Sequence, residues 1–220
     1  MIAFENVCVR DGNTVLLDGV SLRVASGEKV VIGGPSGSGK STVLLTLMGG
    51  YRPASGRVLF NGEEVTAQTI NRVRTTAAYI GQEPVLGAGT VRDGLLLPFT
   101  FRANRSRLPA SEQIAGVLAA LGLPGEILDK NTDLLSGGEK QRIAIARGLL
   151  SGKTLFVVDE ITSALDEESN RSVLEQFLRP AFTVLAVSHH PRWLAACDTQ
   201  LRLEAGRITG SHAQQQVDTP

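Results

Sequence analysis

Residues 34–41 read Gly34-Pro35-Ser36-Gly37-Ser38-Gly39-Lys40-Ser41 and satisfy the pattern G-x-x-x-x-G-K-[ST] at every fixed position. Few short motifs restrict a fold as much, because this one works only between a buried strand and a helix. Both flanks are present. Lys29-Val30-Val31-Ile32 is apolar without interruption after its lysine, as in a strand buried on both faces, and an apolar helical stretch runs from Lys40 to Met48. Glycines let successive backbone N–H groups turn inward around a polyphosphate, and the helix N-terminus adds partial positive charge. In this frame Gly34, Pro35, Ser36, Gly37, Ser38, Gly39, Lys40, Ser41 and Thr42 form a candidate nucleotide cradle. Lys40 would reach the β- and γ-phosphates, and the Ser41 hydroxyl is placed to ligate Mg²⁺. A merely flexible glycine-rich turn would not need the strand and helix on either side.

The remaining pattern supplies the fold such a loop requires. Val20, Leu22 and Val24 alternate with polar residues, and Arg57-Val58-Leu59-Phe60 ends in the turn Asn61-Gly62. Ala77-Ala78-Tyr79-Ile80, Leu155-Phe156-Val157-Val158 and Thr183-Val184-Leu185-Ala186-Val187 read as further short strands. Apolar strands alternating with helices predict an α/β fold around a mostly parallel sheet. From about residue 83 to 150 the pattern turns helical: Ile114, Val117, Leu118 and Leu121 share a face, and prolines 98, 109 and 124 punctuate the segments. A length of 220 residues fits a single domain, with core segments at about 1–82 and 151–210 and a polar tail over 211–220.

Charge and composition exclude several functions. Lys+Arg and Asp+Glu are 22 each, so the net charge is zero and no nucleic-acid partner is expected. No apolar run approaches the roughly 18 residues of a membrane span, and Met1-Ile2-Ala3-Phe4-Glu5-Asn6 has no secretory signal character. Cys8 and Cys197 lie too far apart in sequence for a CxxC unit.

A phosphate loop alone is compatible with a kinase, a GTPase or an ATPase. Asp159 and Glu160 follow a buried apolar strand, so both carboxylates emerge at its C-terminal end. There Asp159 could hold Mg²⁺ and Glu160 could polarise a water against the γ-phosphate. Two acids at this place could also begin a helix; beside the phosphate loop, the catalytic reading is the stronger.

Leu135-Ser136-Gly137-Gly138-Glu139-Lys140-Gln141-Arg142 resembles the signature motif of ABC-transporter ATPases. A serine N-cap before a helix would explain Ser136 and Glu139, but not both glycines. The similarity runs from about Phe4 to Gly210. It implies a P-loop NTPase core of RecA-like type, an N-terminal antiparallel β subdomain and an inserted helical subdomain. It further implies ATP and Mg²⁺ as cofactors and two cassettes lying head to tail, so that Ser136, Gly137 and Gly138 of one copy close over the ATP of the other. Gln82 matches the glutamine loop that joins core to helical subdomain and touches Mg²⁺ and the attacking water. Ser163-Ala164-Leu165-Asp166 matches the loop that crosses the dimer interface, and His189 the switch histidine at the γ-phosphate. His190 falls out of register and reads as a surface residue. Asp11 stands where many members stack an aromatic ring on adenine, with only Phe4 nearby, so no adenine-binding residue is assigned.

Gly89-Thr90-Val91-Arg92-Asp93-Gly94-Leu95-Leu96-Leu97-Pro98-Phe99 and Glu160-Ile161-Thr162-Ser163-Ala164-Leu165-Asp166-Glu167 resemble the bacterial Fet-type ATP-binding subunits, a group tied to iron export. The implied role is motor subunit of a metal exporter. Another cargo, or a soluble ABC ATPase acting on ribosomes or DNA, stands as the alternative. Leu128–Leu134 lacks the Val-Gly-Glu element of fused exporters, and the sequence stops at Pro220. A separate integral membrane permease is therefore expected, with the chain peripheral on the cytoplasmic face of the inner membrane. Arg92, Arg102, Arg105 and Arg107 are either a solvated face or a docking surface for that permease.

Overall fold

Short runs rich in Val, Ile and Leu favour strands, and they sort into two sheets in a computed structural model that describes residues 1–87 and 89–213. In chain order the strands are β1 (Ile2–Asp11), β2 (Thr14–Val24), β3 (Lys29–Gly33), β4 (Ser55–Phe60), β5 (Glu63–Glu64), β6 (Ala77–Ile80), β7 (Leu155–Asp159), β8 (Thr183–Val187), β9 (Thr199–Glu204) and β10 (Arg207–Ala213). An antiparallel sheet has the order β2-β1-β4-β5, and a six-stranded sheet the order β10-β9-β3-β8-β7-β6. In the second sheet only β10 runs antiparallel to its neighbour; β9, β3, β8, β7 and β6 are parallel.

Side chains alternate across a strand, and in the central strands both faces are covered. Val30 and Ile32, Leu155 and Val157, and Leu185 and Val187 pack against the antiparallel sheet and α1 (Lys40–Leu47). Val31, Phe156, Val158, Val184 and Ala186 point into the opposite core. The helices after α1 are α2 (Ile70–Thr76), α3 (Val91–Thr100), α4 (Ser111–Ala120), α5 (Gly137–Leu150), α6 (Glu167–Phe177) and α7 (Pro191–Ala196). In that opposite core the Phe156 ring lies 5.3 Å from Phe177, edge-on, and 4.7 Å from Phe182, while Phe177 lies 5.6 Å from Trp193.

The helical insertion appears where the periodicity puts it, with Ile114, Leu118 and Leu121 buried. One proline departs from expectation. Pro98 does not separate segments but lies inside α3, which continues to Thr100. Its missing N–H leaves the carbonyl of Gly94 without a helical donor, and Arg147 Nη1 donates to that oxygen at 3.4 Å. The cost of the proline is thus met from α5.

The C-terminal hairpin also departs from the sequence reading. Ser211, His212 and Ala213 are not tail but part of β10, opposite Leu201, Gln200 and Thr199. Ala205 and Gly206 both have positive φ, as a two-residue hairpin turn requires. Alanine in place of Asn or Asp hides that turn from a sequence pattern. Residues 214–220 of the expected tail lie outside the described residues. Among the described residues no helix is long and apolar enough to cross a membrane, and both cysteines are free.

Truncating Phe156 removes the ring on which Phe177 and Phe182 converge. Phe156→Ala is expected to lower the unfolding free energy by about 3–5 kcal/mol, read as a reduced urea midpoint with an unchanged slope.

Candidate active site

The parallel strands all end on one edge of the sheet, and the phosphate loop sits at the end of β3. Gly34 is required there: with φ 145°, any Cβ would lie 2.0 Å from the Leu203 carbonyl oxygen. Gly39 caps α1 without any side-chain acceptor, so the first N–H groups of the helix stay available to an anion. Ser36, Gly37 and Ser41 are exposed, which leaves the cradle open to solvent on one side. Ser38 Oγ is buried and lacks a hydrogen-bond partner, an unusual state for a buried hydroxyl and one a phosphate oxygen nearby would relieve. Lys40, only 7% exposed, donates to the carbonyl oxygens of Gly34 (3.1 Å) and Pro35 (2.9 Å). Thr42 is half-buried in the first turn, its carbonyl accepting from Thr46.

β7 brings the two acids to this loop. Ser41 Oγ donates to Asp159 Oδ1 at 3.0 Å, and Glu160 Oε1 pairs with Lys40 Nζ at 3.6 Å. Glu160 has φ 46°, a left-handed conformation uncommon for a side chain of its size. Such strain clusters at functional sites. Its backbone N–H donates to the Val187 carbonyl at 2.9 Å, anchoring the turn to β8. Burial pushes the Asp159 carboxyl above its ordinary value, against the hydrogen bonds it accepts from Ser41 and Tyr79. Mg²⁺ takes few protein ligands, all oxygen, and completes its shell with phosphates and waters. Ser41 and Asp159 fit that requirement, and among the described residues no group of three His, Cys, Asp or Glu side chains offers a fuller cage.

A second cluster forms at the N-terminus of α5. Ser136 caps the helix, accepting from Glu139 N at 3.2 Å while its own N–H donates to Glu139 Oε2 at 2.8 Å. The capping box is therefore real, and the glycines answer a different need. A Cβ on Gly138 would lie 2.9 Å from the Ala164 carbonyl oxygen, so this helix end and the loop Ser163–Asp166 can touch only without a side chain. Asp166 accepts from Ser169 N at 2.8 Å and caps α6, and Ser163 Oγ donates to the Glu160 carbonyl at 3.3 Å. No hydrogen bond or ion pair among the described residues joins Ser136, Gly137 or Gly138 to the phosphate loop of the same chain.

Gln82 and His189 are exposed in the loops after β6 and β8, at the same edge, without a hydrogen bond to Asp159 or Glu160. His190 is half-buried rather than freely exposed. Its side chain is 19% exposed, pairs with Glu167 at 3.5 Å and caps α7 through Nδ1. Asp11 lies exposed at the β1–β2 turn, and Phe4 is 2% exposed in the core, so it offers no face to a base.

Two site residues escaped sequence reasoning. Gln141, 1% exposed, donates through Nε2 to the Gly81 carbonyl at 3.3 Å and so holds the strand end just before Gln82. Tyr79 donates its hydroxyl to Asp159 Oδ2 at 3.3 Å. Burial, then the Asp159 charge, push its phenol up to about 12. Only the parallel register of β6 on β7, with Tyr79 opposite Val157, could have pointed to it.

The sequence pattern of the ABC transporter family matches residues 17–163, a span that takes in the phosphate loop, Gln82, the Ser136 cluster and both acids. The chain belongs to the ABC transporter family. This ABC cassette is 36% identical over 208 residues to the "Probable iron export ATP-binding protein FetA" of Escherichia coli K12, covering 93% of this chain and 91% of that one. It is 37% identical over 214 residues to the "Mycobactin import ATP-binding/permease protein IrtB" of Mycolicibacterium thermoresistibile; the match covers 94% of this chain but 37% of the relative's length. Its backbone matches a bacterial Atm1-family ABC exporter solved with ATP bound, at TM-score 0.85 and 29% identity, over 96% of this chain and 38% of that one. The ABC cassette thus has the expected P-loop NTPase fold, with its antiparallel sheet and inserted helices.

The three contacts of Lys40 indicate where a phosphate would bind. Lys40→Ala is expected to weaken binding of a fluorescent ATP analogue about 10- to 100-fold, the loss of one charge-assisted hydrogen bond. Unchanged affinity in the titration would contradict the cradle.

Proposed function

We propose that this ABC cassette hydrolyses ATP to drive transport through a membrane-spanning permease, as two copies that close head to tail at the cytoplasmic face of the inner membrane. The observation that carries this reading is the convergence of Lys40, Ser41, Asp159 and Glu160 in one half-site. Among the described residues, Ser136, Gly137 and Gly138 make no hydrogen bond or ion pair with the phosphate loop of their own chain, which leaves them to complete the site of another copy.

The β- and γ-phosphates of ATP displace Lys40 from the Gly34 and Pro35 carbonyls and accept its ammonium donors. Ser41, Asp159 and Gln82 would hold Mg²⁺, which would supply charge neutralisation at the phosphates. Glu160, released from Lys40, orients a water and takes its proton as the water oxygen bonds to the γ-phosphorus. The bond to the β-bridging oxygen breaks, leaving ADP and inorganic phosphate. His189 contacts the γ-phosphate from the end of β8. Ser136, Gly137, Gly138 and Asp166 of the second copy cover the nucleotide and exclude bulk water.

The permease would dock in a cavity of about 400 Å³ between β6, α3 and α5, lined by Tyr79, Pro84, Val85, Asn104 and Arg147. Val85 is 78% exposed and Phe101 60%, apolar surface that a short amphipathic helix could cover. Of the four arginines in this region, Arg92 pairs with Asp129. Arg102, Arg105 and Arg107 have no carboxylate partner among the described residues. Iron export is the proposed cargo, on the strength of the relative that matches this chain along nearly its whole length. The exported metal would be handled by the permease; among the described residues no group of three or more His, Cys, Asp or Glu side chains could hold it.

Glu160→Gln is expected to bind ATP with unchanged affinity, to lower steady-state hydrolysis about 10²–10⁴-fold, and to accumulate as an ATP-dependent dimer in size-exclusion chromatography. Hydrolysis near the wild-type rate would remove Glu160 as the base. Ser136→Arg in the same background is expected to elute as a monomer; a persisting dimer would refute the head-to-tail arrangement.

A further inference from the structure

The Asp159 carboxylate is held by two donors on two different elements. Ser41 Oγ, on α1, binds Oδ1 at 3.0 Å, and the Tyr79 hydroxyl, on β6, binds Oδ2 at 3.3 Å. With a separate partner on each oxygen, the plane of the carboxylate is set rather than free to rotate. Groups that orient a metal-binding carboxylate in this way commonly govern metal affinity as strongly as some direct ligands.

The Tyr79 ring is itself placed by close neighbours. A Cβ on Gly81 would stand 3.3 Å from Tyr79 Cε1, and the carbonyl of Gly81 is held by Gln141. The ring is 40% exposed and forms part of the cavity wall between β6 and α5. Tyr79 therefore touches the cavity with its ring and the magnesium carboxylate with its hydroxyl. Although the ring is partly open to solvent, its hydroxyl is directed at the acid.

We propose that Tyr79 is a positioning residue that orients Asp159 for Mg²⁺ and sets the magnesium dependence of nucleotide binding. The inference rests on the reading of Ser41 and Asp159 as the Mg²⁺ site, and it assigns the orientation of that site to a residue three positions before Gln82.

Tyr79→Phe tests it, because the ring and the cavity wall remain and only the hydroxyl is lost. Binding of a fluorescent ATP analogue is measured by equilibrium titration in EDTA and across a series of Mg²⁺ concentrations, alongside the thermal midpoint of the nucleotide-free protein. The Mg²⁺ concentration for half-maximal enhancement of binding is expected to rise about tenfold, with affinity in EDTA and the thermal midpoint both unchanged. A Mg²⁺ midpoint within twofold of wild type overturns the proposal. So does an equal loss of affinity in EDTA and in Mg²⁺, which would mark Tyr79 as a general structural residue. Absence of any Mg²⁺ enhancement in the wild-type protein would instead sink the assignment of Ser41 and Asp159, and is visible in the same titration.

Discussion

Burial of β3, β7 and β8 on both faces is the constraint on which the rest of the structure depends. All five residues of β7 and of β8 are buried, so no reactive polar group can stand in mid-strand without losing its hydration. Chemistry is pushed to where the strands stop. Because these strands are parallel and in register, with Asp159 opposite Val187 and Ile32 opposite the same residue, they stop together. The phosphate loop, the paired acids and the His189 loop thereby share one edge, as ligand sites do in open α/β sheets. The apolar runs that make the fold stable are also what collects the polar residues.

Helix α5 ties this edge to the inserted subdomain. Its first turn presents Ser136 and the two glycines, and Gln141, one turn on, grips the carbonyl before Gln82. Near its C-terminal end Arg147 reaches the carbonyls of Gly94 and Val85, repairing the gap left by Pro98. Burial lowers the Arg147 guanidinium below its ordinary value, although two backbone acceptors keep it in place. One helix therefore carries the Ser136 cluster, the brace for the loop after β6 and the brace for α3. Movement of the inserted subdomain cannot leave the Gln82 loop untouched.

Much of the fold and of the site was legible because its signals are local. Lys29 to Met48 contains its own strand, loop and helix, and the runs at Leu155 and Thr183 announce buried strands by composition alone. What stayed hidden depends on neighbours distant in sequence. In the β9–β10 hairpin, β9 alternates over only two apolar residues, Leu201 and Leu203, and the Ala205-Gly206 turn lacks Asn or Asp, so little in the sequence marks it. Pro98 reads as a break until Arg147 is placed beside Gly94. His190 looks like a surface residue until Glu167 and the first turn of α7 lie against it. Gln141 lies in the signature stretch and Tyr79 three residues before Gln82, but only register and packing show what they hold. Glu160 shows its acid in the sequence, but not the left-handed backbone that turns it toward Lys40.

Lys40 makes two hydrogen bonds to the loop that surrounds it and an ion pair with Glu160. The chain thus supplies three oxygen partners of its own to the lysine's ammonium. If Lys40 binds phosphate as proposed, the phosphate and the chain's own oxygens would compete for the same ammonium donors, and each partner given up would have a replacement nearby. The same ion pair would oppose the charge of Glu160, the acid proposed as base, with a cation from its own chain.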